Sequence, residues 1–211
     1  MKKITIIFIS ALFTLTTSAF AGGMIGVKVG TGDLGGNKKA YTAGTKTYAA
    51  QSGSKDNAFG AIFAELNIKE SPISVGLEYV PFDADVSLDG KSSGVSAKVS
   101  DYTTIYALAM RELNDVSVYA KLGYSQADIG TVSVNDTATT YVSQSGDLEG
   151  VMVGVGVQSK ELPFGLVARG EFTYTEFDDI SVTTTSNGSA SVKKTADGEL
   201  TTLTLSLAKS F

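Results

Sequence analysis

The chain ends on Leu200-Thr-Thr-Leu-Thr-Leu-Ser-Leu-Ala-Lys-Ser-Phe211. Leu203, Leu205 and Leu207 alternate there with Thr204, Ser206 and Ala208, and the last residue is aromatic. A period of two puts the leucines on one face of a strand and the small polar residues on the other. Such a greasy face, closing a chain rich in Gly and Thr, needs an apolar solvent on one side.

The opening residues indicate which solvent. Lys2 and Lys3 precede the mostly apolar run Ile4 to Leu15, and Ala19-Phe20-Ala21 has the small-x-small form of a cleavage site. This is the pattern of a secretory signal peptide over residues 1–21, too short for a spanning helix. The expected mature domain runs from Gly22 to Phe211, outside the cytoplasm, and the expected solvent is membrane lipid. No later segment approaches the roughly 18 to 20 continuous apolar residues of a membrane helix. The net charge is −5, and loss of a leader with two lysines and no acid makes it more negative. Nucleic acid is therefore not an expected partner. The chain has no Cys and no His, which removes thiol chemistry, the Ser-His and Cys-His nucleophilic sets and the commonest zinc ligand.

About eight segments share the two-residue period: Met24 to Gly30, Ala58 to Ile68, Ile73 to Pro81, Tyr102 to Arg111, Val116 to Tyr124, Leu148 to Val157, Phe164 to Phe177, and the terminal stretch. Each is near the length that crosses a bilayer as a tilted strand. Lys69 to Pro72, Glu112 to Asp115 and Gln158 to Pro163 are tight turns. Asp33 to Asn57, Asp83 to Asp101, Gly130 to Asp147 and Asp178 to Gly198 are long and polar. Short turns on one rim and long loops on the other predict a closed, antiparallel, up-and-down transmembrane β-barrel. A soluble barrel also alternates, but its charges point outward. Here the face opposite the apolar one is mostly Gly, Ala, Ser and Thr, which suits a narrow interior.

The apolar face of the fourth segment reads as Tyr102, Tyr106, Leu108 and Met110. Tyr79, Tyr102, Tyr124, Phe172 and Tyr174 are expected near the long-loop ends of their strands as an interfacial girdle, with Phe164 and Phe211 at the other rim. The inward positions include Lys28, Glu65, Glu78, Lys121, Arg169 and Glu171. Most lie four to seven residues from the short-turn ends, so a neutral mid-barrel layer is expected, with Arg169 offering a bidentate fork to Glu78 or Glu65. Such a layer would plug the lumen.

Other signals have bland readings. Gly30-Thr-Gly-Asp-Leu-Gly35 matches a dinucleotide fingerprint, but no amphipathic helix follows it, and a strand end entering a loop is expected instead. Asp83, Asp85 and Asp89 lack the spacing of a calcium loop and read as solvated carboxylates. No cofactor is expected. Asn187-Gly188 and Asp89-Gly90 are hairpin signals that would carry the sheet beyond the membrane, and Asn135-Asp136 is a weaker one.

With its export signal, its alternating strands and its terminal Phe, the chain resembles the small outer-membrane barrels of Gram-negative bacteria, the OmpA/OmpX and opacity-protein group. The resemblance implies that Leu203, Leu205, Leu207 and Phe211 form the signal read by the barrel-assembly machinery. Lys209 departs from it, since that position is usually apolar. The implied protein is a monomer in outer-membrane lipid whose loops are free to contact an extracellular partner. Enzymes among barrels of this size rely on an active-site His, which this sequence lacks. The expectation is a non-enzymatic surface barrel with a structural or adhesion-like role; a small diffusion pore is the alternative.

Overall fold

The computed structural model describes residues 20–43, 45–81, 83–89, 93–130, 133–136, 146–184 and 192–211. Residues 1–19 of the expected leader 1–21, Asn187-Gly188 and Gly90 lie outside the described residues. The described chain is almost all strand: β1 (Phe20–Lys38), β2 (Tyr41–Ala43), β3 (Lys46–Tyr48), β4 (Gln51–Ile68), β5 (Ile73–Val80), β6 (Ala84–Asp89), β7 (Ser93–Leu113), β8 (Val116–Ile129), β9 (Ser133–Asp136), β10 (Gly146–Ser159), β11 (Leu166–Thr184) and β12 (Val192–Ser210).

Every ladder in the wall is antiparallel, and each wall strand pairs with its neighbours in sequence until β12 returns to β1. The result is a closed up-and-down barrel with an eight-strand wall, in which β6 continues the line of β5 against β7. Closure is complete at the chain end. Met24 pairs with Ser210, and Gly23 and Phe211 exchange both backbone hydrogen bonds at 3.0 Å. The short-turn rim holds the tight connections. Glu70 takes φ 57° there, and Phe164 and Gly165, in a 3-10 turn, take φ 68° each.

The strands run much further than the sequence periods indicate. β1 and β4 stay paired out to Lys38 and Gln51, and β11 and β12 out to Thr184 and Val192. The Gly30 to Gly35 stretch is therefore uninterrupted strand, paired on both sides, and not a loop entry. A 19-residue strand at about 3.3 Å per residue is far longer than an apolar band of about 25 Å requires. The excess carries the sheet beyond the membrane. The antiparallel β6–β7 ladder runs out to Asp89 opposite Gly94, whereas β9, which holds Asn135 and Asp136, pairs back onto β7. In this outer region the Lys39 ammonium sits 2.5 Å from Asp179, which holds its pKa above the usual lysine value.

Along the wall, side-chain orientation follows the alternation on every strand but β7. Ile25, Val27, Val29, Ile62, Leu122, Val151, Val153, Val155, Leu203 and Leu205 all point outward and are exposed. On β7 the expected face is reversed. Tyr106 and Leu108 are buried inside the barrel, Tyr102 packs against buried Phe177, and Ile105 points out. Small Ala107 and Ala109 face the lipid side instead. The physical reason is space. Tyr106 lies across the ladder from Gly76, where an added Cβ would come within 2.5 Å of the ring. The glycine leaves a gap in the lumen, and the ring fills it.

Because the wall closes through a continuous β1–β12 ladder, SDS at room temperature should not open it. The folded protein should migrate faster on unheated gels than after boiling, and removal of Leu203 to Phe211 should abolish that difference.

Candidate functional site: the charged barrel interior

Six ionisable side chains from five wall strands meet inside the barrel. Lys28 comes from β1, Glu65 from β4, Glu78 from β5, Lys121 from β8, and Arg169 and Glu171 from β11. All are between 1% and 7% exposed. Alternation puts each on the inward face, and the antiparallel registers bring them to one level.

They form two neutral groups. In the first, Lys28 Nζ donates to Glu78 Oε2 and Glu171 Oε1, each at 2.6 Å. Lys121 Nζ donates to the same two oxygens at 3.0 and 3.1 Å. Two ammonium groups and two carboxylates thus form a closed ring of contacts. In the second, Arg169 Nη1 and Nη2 donate to Glu65 Oε1 and Oε2 at 2.6 and 2.8 Å, a bidentate fork. Glu65 rather than Glu78 is the partner. Arg169 Nε donates to Gln158 Oε1 at 2.6 Å. A guanidinium suits this position because its planar donors match a carboxylate edge, which an ammonium cannot do.

Sequence reasoning missed the aromatic half of the site. Tyr106 donates its hydroxyl to Glu65 Oε1 at 2.7 Å, and Tyr119 donates to Glu171 Oε2 at 3.0 Å. Lys121 Nζ lies 3.8 Å from the centre of the Tyr106 ring, and the Arg169 guanidinium stands 5.2 Å from the Tyr119 ring centre. These contacts add cation–π attraction and supply the hydrogen bonds that a desolvated carboxylate requires. The ladder registers, which local sequence does not state, account for these rings. Gly26 opposes Phe63, Gly76 opposes Tyr106 and Gly156 opposes Tyr119. In these three pairs an inward glycine faces an inward ring, the pairing by which an aromatic covers a glycine across a sheet.

Above the charges lies a belt of hydroxyls. Thr104 and Ser125 are 2.8 Å apart, Thr173 and Thr202 2.6 Å, and the Tyr102 hydroxyl donates to Ser125 Oγ at 3.0 Å. Tyr102 therefore belongs to the lumen and not to an outward girdle. Higher still the interior turns apolar, with Ala127, Ile129, Leu148 and Phe177 buried together against Leu34, Val99 and Leu200.

Three of the tyrosines expected in a girdle share one arrangement. Tyr79, Tyr124 and Tyr174 each donate a hydroxyl to a carboxylate, Asp101 at 2.8 Å, Glu149 at 2.7 Å and Glu199 at 3.1 Å. Phe172 also points outward. On the short-turn side of these tyrosines the outer wall is mostly Ile, Val, Leu and Ala; on the other side it carries Glu149 and Glu199.

At the short-turn rim Leu207 and Phe211 face outward, and Phe164 is 87% exposed. Lys209 donates its ammonium to the Phe164 carbonyl, so the charge sits at the rim. Asp83 is paired with Lys98 at 2.5 Å. Among the described residues no three acidic side chains gather as a metal site.

Residues 7–208 match the family model described as the outer membrane protein beta-barrel domain. The chain belongs to that family. It is a transmembrane β-barrel of the Gram-negative outer membrane, consistent with the OmpA/OmpX/opacity-like group. A sequence search among curated proteins found no match. Solved structures with the same fold include the outer membrane protein OprG from Pseudomonas aeruginosa, at 14% identity over 90% of this chain and 97% of that one, with a TM-score of 0.62. The outer membrane protease OmpT from Escherichia coli matches at 11% identity over 94% and 100%, with a TM-score of 0.56. AlkL, determined in DMPC lipid bilayers, matches at 14% identity over 93% of each chain, with a TM-score of 0.55.

Two substitutions test the interior. Arg169→Ala removes both donors from Glu65 and leaves a buried carboxylate unpaired, so it should cost about 3–5 kcal/mol, read as a lower urea midpoint for the lipid-refolded protein. At Gly156 an added Cβ would lie 2.2 Å from the Tyr119 ring. Gly156→Ala should push Tyr119 off Glu171 and cost about 1–3 kcal/mol, and the Gly156→Ala/Tyr119→Leu double variant should recover part of that loss.

Proposed function

We propose that this barrel is a non-enzymatic, non-conducting component of the outer membrane, with its lumen plugged by the charge layer and its extended outer sheet available for surface interaction. The observation that carries this reading is the neutral, fully paired set of Lys28, Glu65, Glu78, Lys121, Arg169 and Glu171 buried across the interior. Eight strands give a lumen that side chains can fill. Here long charged chains and rings from opposite walls meet across it. Ions entering this layer would have to break contacts of 2.6–3.1 Å among side chains that are almost fully shielded from solvent.

The lack of any His supports the non-enzymatic reading, since likeness to a protease at 11% identity is a likeness of fold. The leader over residues 1–21 would direct export. The outward Leu203, Leu205 and Leu207, with Phe211 on the last strand, would present the assembly signal to the barrel-assembly machinery. Tyr79, Tyr124, Tyr174 and Phe172 would form the outer girdle. The protein would act as a monomer, and the outer sheet would meet an extracellular protein through its strand edges.

Planar-bilayer recording separates plug from pore. The purified protein should give no large, stable currents, whereas the Lys28→Ala/Arg169→Ala double variant, if it refolds, should conduct. Steady currents from the unmodified protein would favour the polar pore.

A further inference from the structure

The lipid-facing wall carries one feature that the lumen does not explain. Arg111, near the end of β7, is exposed and shares the outward face with Ile105. It lies opposite Val118 of β8, and one unbroken row of ladder partners continues through Val157, Gly170 and Leu205 to Val29. A second row, two residues further from the short-turn rim, runs from Ala109 through Val155 and Phe172 to Leu203. Together the two rows line an open trough of about 1170 Å³ across six neighbouring strands.

The trough is apolar along most of its length. Gly170 leaves its middle unfilled: a Cβ there would meet nothing closer than Leu205 at 3.7 Å and Val157 at 3.8 Å. Arg111 stands at the rim end, two residues before Leu113 closes β7, whereas Gly170 is four residues into β11 and Leu205 five from the end of β12. The row therefore climbs from the rim into the bilayer. Six strands about 4.8 Å apart give it a length of about 24 Å, which suits a chain lying obliquely in one leaflet of a core about 30 Å thick.

Arg111 has no ion pair or hydrogen bond among the described residues. Other groups of this rim are engaged elsewhere, Asp115 with Lys160 at 3.4 Å and Lys209 with the Phe164 carbonyl. An arginine so near the rim reaches headgroup level with its guanidinium while its stem lies along the wall. Two oxygens of a phosphate match its fork of donors. The apolar banks select nothing by themselves, since lipid tails are as apolar as the leucines they touch. Discrimination has to come from the cation. A second copy of the chain facing this wall would bring mainly Val and Leu to Arg111, not an anion.

We propose that the trough retains one glycerophospholipid of the short-turn leaflet, with its phosphate on the Arg111 guanidinium and one acyl chain laid along the row past Gly170 to Leu205. The inference holds whether or not the lumen conducts, because the site lies on the opposite face of the wall.

The test is native mass spectrometry of the full mature protein, refolded in dodecyl maltoside. It is titrated with dimyristoylphosphatidylglycerol or with dimyristoylglycerol, which has the same chains and no phosphate. One phosphatidylglycerol per barrel should stay bound, about tenfold or more tighter than dimyristoylglycerol, as expected for loss of a charge-assisted contact. Arg111→Gln should weaken retention of the phospholipid by a similar factor, and so should Gly170→Leu, which fills the middle of the trough from the outside. Lys69→Gln removes a rim cation that does not line the trough and should change nothing. Equal retention of the two lipids, or retention unmoved by Arg111→Gln, overturns the proposal and makes the lipid part of the ordinary annulus. A lipid-free mass of two chains also overturns it and gives the trough to a second copy. Heat-modified gel migration verifies that each variant is folded. Should Gly170→Leu not fold, the two-lipid comparison and Arg111→Gln decide.

Discussion

Lipid offers no hydrogen bonds, and the rest of this structure follows from that. A strand in the bilayer must have both backbone edges paired, so the sheet has to close. Closing it with eight strands sets the width of the interior, and that width leaves room for side chains but not for a column of bulk water. What remains is a packing problem solved with unlike sizes. Gly26, Gly76 and Gly156 each leave a hollow, and Phe63, Tyr106 and Tyr119 fill them from the adjacent strand. Between the rings stand the charged chains, which tolerate burial because every carboxylate meets a cation and most also meet a hydroxyl.

The same strands serve two solvents in turn. Within the membrane they show Val and Leu to the outside and charges to the inside. Past Tyr79, Tyr124 and Tyr174 the order reverses, with Glu149 and Glu199 outside and Leu148, Phe177 and Leu200 inside. There the barrel is built like a water-soluble protein with a small apolar core. The three tyrosines stand at the change, each with its hydroxyl held by a carboxylate, the arrangement that suits a ring at a lipid–water boundary.

The strand count, the closure and the inward face of seven wall strands were legible because the two-residue period is strict where one face meets lipid. The limits of legibility have definite causes. On β7 the larger residues were read as lipid-facing, yet Tyr106 and Leu108 point inward. Hydrophobicity alone does not separate a ring that fills a gap beside a glycine from one that faces an acyl chain. Tyr102 was misplaced with them. The outer halves of the strands read as loops because outside the membrane the apolar residues change sides, and polar β-sheet such as Gly30 to Lys38 has no alternation to detect. Lys28, Glu65, Glu78, Lys121, Arg169 and Glu171 could be singled out as charges on a face otherwise made of small residues. Their pairing could not, because it depends on registers that local sequence does not state.

The pairing has a further consequence for how the barrel is built. Lys28 and Glu171 are separated by 143 positions, and Arg169 and Glu65 by 104. Until the late strands arrive, the early ones hold an ammonium and two carboxylates without their full set of opposite charges. A half-inserted sheet would have to carry these into hydrocarbon unneutralised, which is costly. Long-range closure is also slow, because the entropy of bringing distant segments together is lost before the contacts form. A partial barrel would therefore carry charges that only the complete one neutralises, and β11, which brings both Arg169 and Glu171, completes the pairing.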